Sequence, residues 1–152
     1  MNTYEKLLDE VSDEIQIEED YKFKSKNIKG LYCDNVIALS KDIRTTTEKT
    51  CVLAEEIGHH FTTAGDIIDQ TDAQNRKQEL RARMWAYDKQ IGLSGIIDAF
   101  ENKCETIHDT AEYLGVTEEF LVETLEAYTS KYGICKKFGK YTIYFEPLQV
   151  FK

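Results

Sequence analysis

Residues 53–60 read LAEEIGHH and place Glu55, Glu56, His59 and His60 within one short stretch. Carboxylate oxygens and imidazole nitrogens are the donors that divalent transition metals take, and a carboxylate can also serve as a general base. On a helix, positions i and i+4 share a face, so Glu55 and His59 would point the same way and could clasp one ion. Glu56 then stands where the general base stands in the H-E-x-x-H arrangement of zinc hydrolases, with a glutamate replacing the first histidine. Five residues of this kind are a weak signal, because glutamate is common on helix surfaces. On those residues alone, an amphipathic helix that carries two histidines is the plainer reading.

Glutamate is a legal zinc ligand at ~2.0–2.2 Å. A carboxylate in the first ligand position leaves the ion a weaker Lewis acid and tilts preference from zinc toward manganese. Gly58, just before His59, costs ~1 kcal/mol of helix propensity against alanine. Close backbone packing beside a metal site would justify it. His60 points ~100° further round the helix than His59. It is either an additional ligand or a partly exposed residue favoured by the helix C-terminal dipole.

The elements that would hold these residues can be read from periodicity. Tyr4, Leu7, Leu8 and Val11 recur at helical spacing over residues 2–12. IQIEEDYKF has strand character, and Leu31–Cys33 and Val36–Leu39 flank the turn pair Asp34-Asn35, which predicts a hairpin. Thr45 with Glu48 three residues on fits a capping box that opens the helix of Glu55 and His59. That helix should end near Thr62 to Gly65, and Asp66 and Asp69 follow it. A second helix covers about 75–91, broken at Gly92, with Ala82 and Ala86 on one face allowing close approach of a neighbour. Further helices are expected around 95–100, 107–114 and 117–132. Tyr141, Ile143 and Phe145 alternate with Thr142, Tyr144 and Glu146, so a strand or hairpin should follow Gly139.

The chain has 152 residues and one proline, which predicts a single domain of 1–152 without linkers. Its segments are an N-terminal helix and small sheet (1–44), the metal-site helices (45–92), a helix-turn-helix-like stretch (93–133) and a C-terminal strand or hairpin (134–152). A net charge of −9 argues against binding nucleic acid or an anionic membrane surface. The stretch AEYLGVTEEFLVETLEAY has the cadence of a helix-turn-helix, but its second helix carries Glu118, Glu119, Glu123 and Glu126, which phosphates would repel. Cys33, Cys51, Cys104 and Cys135 form no C-x-x-C pair and read as reduced thiols. The N-terminus lacks a basic region followed by an apolar run, and no stretch approaches the ~18 apolar residues of a membrane helix. A cytoplasmic protein is therefore expected. His108 stands outside any ligand spacing, and Trp85 reads as packing.

Three stretches carry a family likeness: TTTEKTCVLAEEIGHHFTT, NRKQELRARMWAYDKQIG and GLYCDNVIALS, with AEYLGVTEEFLVETLEAY downstream. In their order and spacing the chain resembles the ImmA/IrrE metallopeptidases of phages, mobile elements and stress regulons. The likeness implies an α+β fold, a mostly helical body with a small antiparallel sheet and a zincin-like active-site helix. It implies Glu56 as the catalytic base, His59 as a metal ligand and Glu79, on the following helix, as another. Glu55 stands where the family has its first histidine, as a ligand or, failing that, with His60 recruited. For Glu79 the plainer reading is a surface glutamate paired with Arg83 at i+4. The implied cofactor is zinc, or manganese. The implied activity is endopeptidase cleavage of a helix-turn-helix repressor. The alternative is a catalytically weak member that sequesters its partner stoichiometrically.

Overall fold

The computed structural model describes residues 1–62 and 72–152. Gly65, Asp66 and Asp69 lie outside the described residues. The architecture is α+β and mostly helical, and the chain divides into two compact units, Met1–Ala86 and Tyr87–Lys152.

The first unit begins with α1 (Thr3–Val11), whose first turn is capped by the Asn2 side chain accepting from the Glu5 N–H at 2.8 Å. Tyr4, Leu7 and Val11 are buried, as their spacing requires. Strands β1 (Gln16–Tyr21), β2 (Gly30–Cys33) and β3 (Val36–Ser40) form a sheet in the order β1-β3-β2. The β2–β3 hairpin turns on Asp34 and Asn35, with φ of 46° and 64°. Two left-handed residues in a two-residue loop match the twist of the flanking strands.

The sheet is not wholly antiparallel. β1 pairs with β3 in parallel, Ile17 opposite Ile37. β3 is the most apolar strand, with Ile37 and Leu39 fully buried, and it takes the centre. β2 is thereby left as an outer edge.

Helix α2 (Thr46–Thr62) starts where Thr45 Oγ1 accepts from the Glu48 N–H at 3.1 Å, while the Glu48 carboxylate takes Lys29. Its apolar face, Cys51, Leu53, Ala54 and Ile57, packs into the core with α1, β2 and β3. Helix α3 (Asp72–Gln90) contributes the buried Ala82 and Ala86 to this unit.

The second unit holds α4 (Gly92–Glu101), α5 (Ile107–Leu114), α6 (Glu118–Tyr132) and an antiparallel meander of β4 (Cys135–Phe138), β5 (Tyr141–Phe145) and β6 (Leu148–Phe151). Gly92, at φ 65°, separates α3 from α4. Gly115, at φ 72°, ends α5, and Thr117 caps α6 by accepting from the Phe120 N–H at 3.0 Å. Leu121, Leu125 and Tyr128 of α6 and Ile143 and Phe145 of β5 are buried, with Tyr128 against the Phe145 ring, whereas Glu118, Glu119, Glu123 and Glu126 face solvent. Among the described residues no helix is long and apolar enough to cross a membrane.

Candidate metal centre

On α2, Glu55 and His59 lie one turn apart on the face turned to α3. The two helices approach closely because Gly58 has no side chain. A Cβ there would stand 2.3 Å from the Ala82 carbonyl oxygen, well inside van der Waals contact. Ala82, itself fully buried, is the matching small residue on α3. This contact brings Glu79, one turn earlier on α3, beside His59.

Glu55, His59 and Glu79 form the cluster. One donor atom from each lies within 4.8 Å of the others. His59 Nε2 is 3.2 Å from Glu79 Oε2. Arg83 joins from α3, its Nε 3.4 Å from Glu55 Oε1 and 3.8 Å from Glu79 Oε1. Glu79 thus pairs with Arg83 and also reaches the cluster. Two carboxylates and an imidazole, partly buried and close enough to converge, fit a divalent cation of the zinc or manganese type.

The electrostatics show how crowded the acids are. The hydrogen bond from His59 holds the Glu79 carboxyl down at about 2 despite its partial burial. The same bond holds the His59 imidazole above its ordinary value, against burial. Burial, followed by a hydrogen bond to Glu79, pushes Glu55 up. Glu55 and Glu79 therefore share protons and donors as one unit.

Glu56 lies on a different face, against β2. Burial raises its carboxyl to about 7, opposed chiefly by His59 and also by a hydrogen bond from the Tyr32 backbone N–H. Gly30 makes that contact possible. A Cβ on Gly30 would stand 2.7 Å from Val52 Cγ1 and 3.1 Å from Glu56 Cγ. Neither Gly30 nor Tyr32 is marked by donor spacing. The one available signal is a glycine opening a strand, which often marks close backbone approach.

His60 is turned away from the cluster. Its Nδ1 is 2.8 Å from Tyr32 Oη and its Nε2 is 3.0 Å from Glu14 Oε2. Both ring nitrogens are engaged, and His60, offered by the sequence as a possible additional ligand, stands apart from the Glu55–His59–Glu79 cluster. His108 is exposed, between Glu112 at 3.4 Å and Glu118 at 3.2 Å. Trp85 stacks on Phe61 at 5.4 Å between centroids. Cys51 is buried. A concavity of about 940 Å³ lies in the second unit, lined in part by Ile96, Phe100, Leu148 and Phe151. It holds no three-donor cluster among the described residues.

Comparison with protein families matches residues 14–126 to the IrrE N-terminal-like domain, a peptidase family. Comparisons with curated proteins and with solved structures give no match. The matched span contains α2, α3 and the β2 edge, and so every residue of the cluster together with Glu56. Family and geometry meet at the same two helices, and the chain belongs to the metallopeptidase-like IrrE N-terminal-like domain family.

Proposed function

We propose that the protein is a metal-dependent endopeptidase in which Glu55, His59 and Glu79 hold one cation, zinc in the first place and manganese in the second. The observation that carries this is the convergence of Glu55, His59 and Glu79 from two helices beside a half-buried Glu56. When bound, the cation supplies a Lewis acid. Glu56 takes a proton from the attacking water and returns it to the leaving amide nitrogen. In the metal-free protein burial raises this carboxyl, so it takes up a proton more readily than an ordinary carboxylate. The Tyr32 N–H holds that carboxylate in one orientation, and Gly30 leaves the room for it.

The family implies a protein substrate. Our reading is a helix-turn-helix repressor encoded nearby in a phage or mobile element, cleaved in the cytoplasm to release gene expression. A repressor's basic DNA-reading surface suits a partner of net charge −9.

A second reading is favoured by Glu55 and Arg83. A carboxylate in the first ligand position, with a guanidinium 3.4 Å away, weakens the hold on a cation. Such a member would bind the repressor without cutting it.

Elemental analysis of protein purified without chelators, with His59→Ala and Glu79→Ala alongside, tests the centre. About one equivalent of zinc or manganese, lost in both variants, is expected for a single three-donor site. Wild type that binds neither ion removes the peptidase reading. Cleavage of the repressor that stops with Glu56→Gln supports catalysis, whereas one-to-one titration that survives Glu56→Gln supports sequestration.

A further inference from the structure

Residues 22–29 carry Lys22, Lys24, Lys26 and Lys29 with no carboxylate among them, in a chain of net charge −9. All four are exposed. The sheet adds to them. Lys41 N donates to Tyr21 O at 3.0 Å and Ser40 N donates to Lys29 O at 2.8 Å. The end of β1, the start of β2 and the end of β3 therefore lie together, and Lys22, Lys29 and Lys41 gather there. Lys29 is paired with Glu48. Lys22, Lys24, Lys26 and Lys41 have no ion-pair partner among the described residues. Apolar side chains are interleaved: Tyr21 and Phe23 stand with ring centroids 4.7 Å apart, and Ile28 is 40% exposed.

This loop runs directly into the strand that touches Glu56. β2 is an outer strand of its sheet, as β1 is. The Lys29–Ser40 bond makes Leu31–Ala38 and Cys33–Val36 the hydrogen-bonded pairs of the hairpin, so the main-chain groups of Gly30 and Tyr32 point outward. The Tyr32 N–H goes to Glu56. An extended chain laid on this edge leaves it, at the Gly30 end, over the lysines. The opposite end of β2 carries Asp34 and lies near Glu14, so the edge has a charge polarity along its length.

We propose that the lysine loop 22–29, continuous with the outer edge of β2, docks an acidic stretch of the polypeptide partner. The proposal rests on the cleft being a polypeptide site and adds what the partner must carry next to it: carboxylates interspersed with apolar residues. Opposite charge at close range gives register and specificity more than bulk affinity. A single-stranded nucleic acid would also suit lysines and aromatics. The peptide is favoured because the β2 edge turns the Gly30 N–H and the Gly30 and Tyr32 carbonyls outward, backbone groups that only another extended polypeptide returns in register.

The test uses the full chain carrying Glu56→Gln, supplied with zinc, and fluorescence anisotropy. The probes are a labelled peptide of about twelve alternating glutamates and leucines, long enough to span β2 and the loop, its lysine-for-glutamate counterpart, and an oligothymidylate of equal charge. Lys22→Ser, Lys24→Ser and Lys26→Ser are combined in one variant. Lys136→Ser, Lys137→Ser and Lys140→Ser are combined in a control with the same change of charge. The acidic peptide should bind in a salt-dependent manner, and the loop variant should weaken it by on the order of tenfold, or about 1.4 kcal/mol, while the control and the basic peptide show no such effect. Absence of acidic-peptide binding, equal weakening in loop variant and control, or tighter binding of the oligothymidylate at the loop would each overturn the proposal. Metal content is measured on the same samples. Lost docking at full metal content removes this inference alone, and retained docking without metal removes the peptidase reading alone.

Discussion

Gly58 and Arg83 show how single side chains set the properties of the cluster. Alanine in place of a helical glycine ordinarily adds ~1 kcal/mol of stability. At Gly58 the new methyl would press on the Ala82 carbonyl at 2.3 Å, so the sign should reverse. Gly58→Ala is expected to destabilise by about 1–3 kcal/mol and to weaken metal binding, because α3 must move and carries Glu79 with it. Urea unfolding and a zinc-competition titration would read the two effects. Arg83→Ala should do the opposite to the metal. It removes the cation that neutralises Glu55 and Glu79, so affinity should rise in the same titration, and an unchanged or weaker affinity would show that Arg83 supports the cluster.

Protonation belongs to the same scale. Glu56 is raised in the folded protein, so the folded state binds more protons and stability falls as pH rises from the unfolded value of 4.5 through about 7. His59 is also raised, so its contribution is present below 6.5 and is lost as pH rises through its folded value. Glu79, lowered to about 2, stabilises above 4.5 and loses that contribution as pH falls toward 2. Metal-free protein should therefore melt at progressively lower temperature as pH rises from about 5 to 8. With metal, which needs neutral His59, the trend should invert and binding should release protons. Thermal melts across pH with and without zinc, and calorimetry in buffers of different ionisation enthalpy, check both statements.

At the scale of elements, the position of β2 against α2 matters most. Gly30 lets the strand lie on Val52 and Glu56, and the Tyr32–His60–Glu14 chain ties the strand to α2 and to the segment after α1. Gly30→Val should lift the edge off Glu56. Hydrolysis should fall while one equivalent of metal is retained, which activity and elemental analysis together would detect. Tyr32→Phe removes the hydroxyl that meets His60 Nδ1, Asn35 Oδ1 and the Asn35 N–H, and should cost about 1–3 kcal/mol and leave metal content unchanged. A loss of metal in Tyr32→Phe would mean that the Tyr32–His60 contact supports the cluster.

For the molecule as a whole, charge is the main lever. The unit of α5 and α6 has helix-turn-helix connectivity, but α6 presents Glu118, Glu119, Glu123 and Glu126 to solvent. Duplex DNA should not bind at physiological salt, and a mobility shift that survives there would contradict the electrostatic reading.

The sequence alone determined what depends on neighbours along the chain. Helical geometry turns ~100° per residue, so the spacing of Glu55 and His59 assigns them one face, and the spacing of Tyr4, Leu7 and Val11 assigns a core face to α1. The Asp34-Asn35 turn and the alternation of Tyr141, Ile143 and Phe145 are equally local, as are the Thr45 and Thr117 caps. Tertiary structure decided what those faces meet. Glu79 joins His59 because Gly58 lets α3 approach, His60 is taken by Tyr32 and Glu14, and Glu56 is half-buried against the backbone of β2. The parallel pairing of β1 with β3 belongs here too, since alternation along a strand states which side is apolar but not which neighbour it takes or in which direction. Local geometry orients side chains about their own element, and only packing between elements brings donors from different segments within bonding distance of one another.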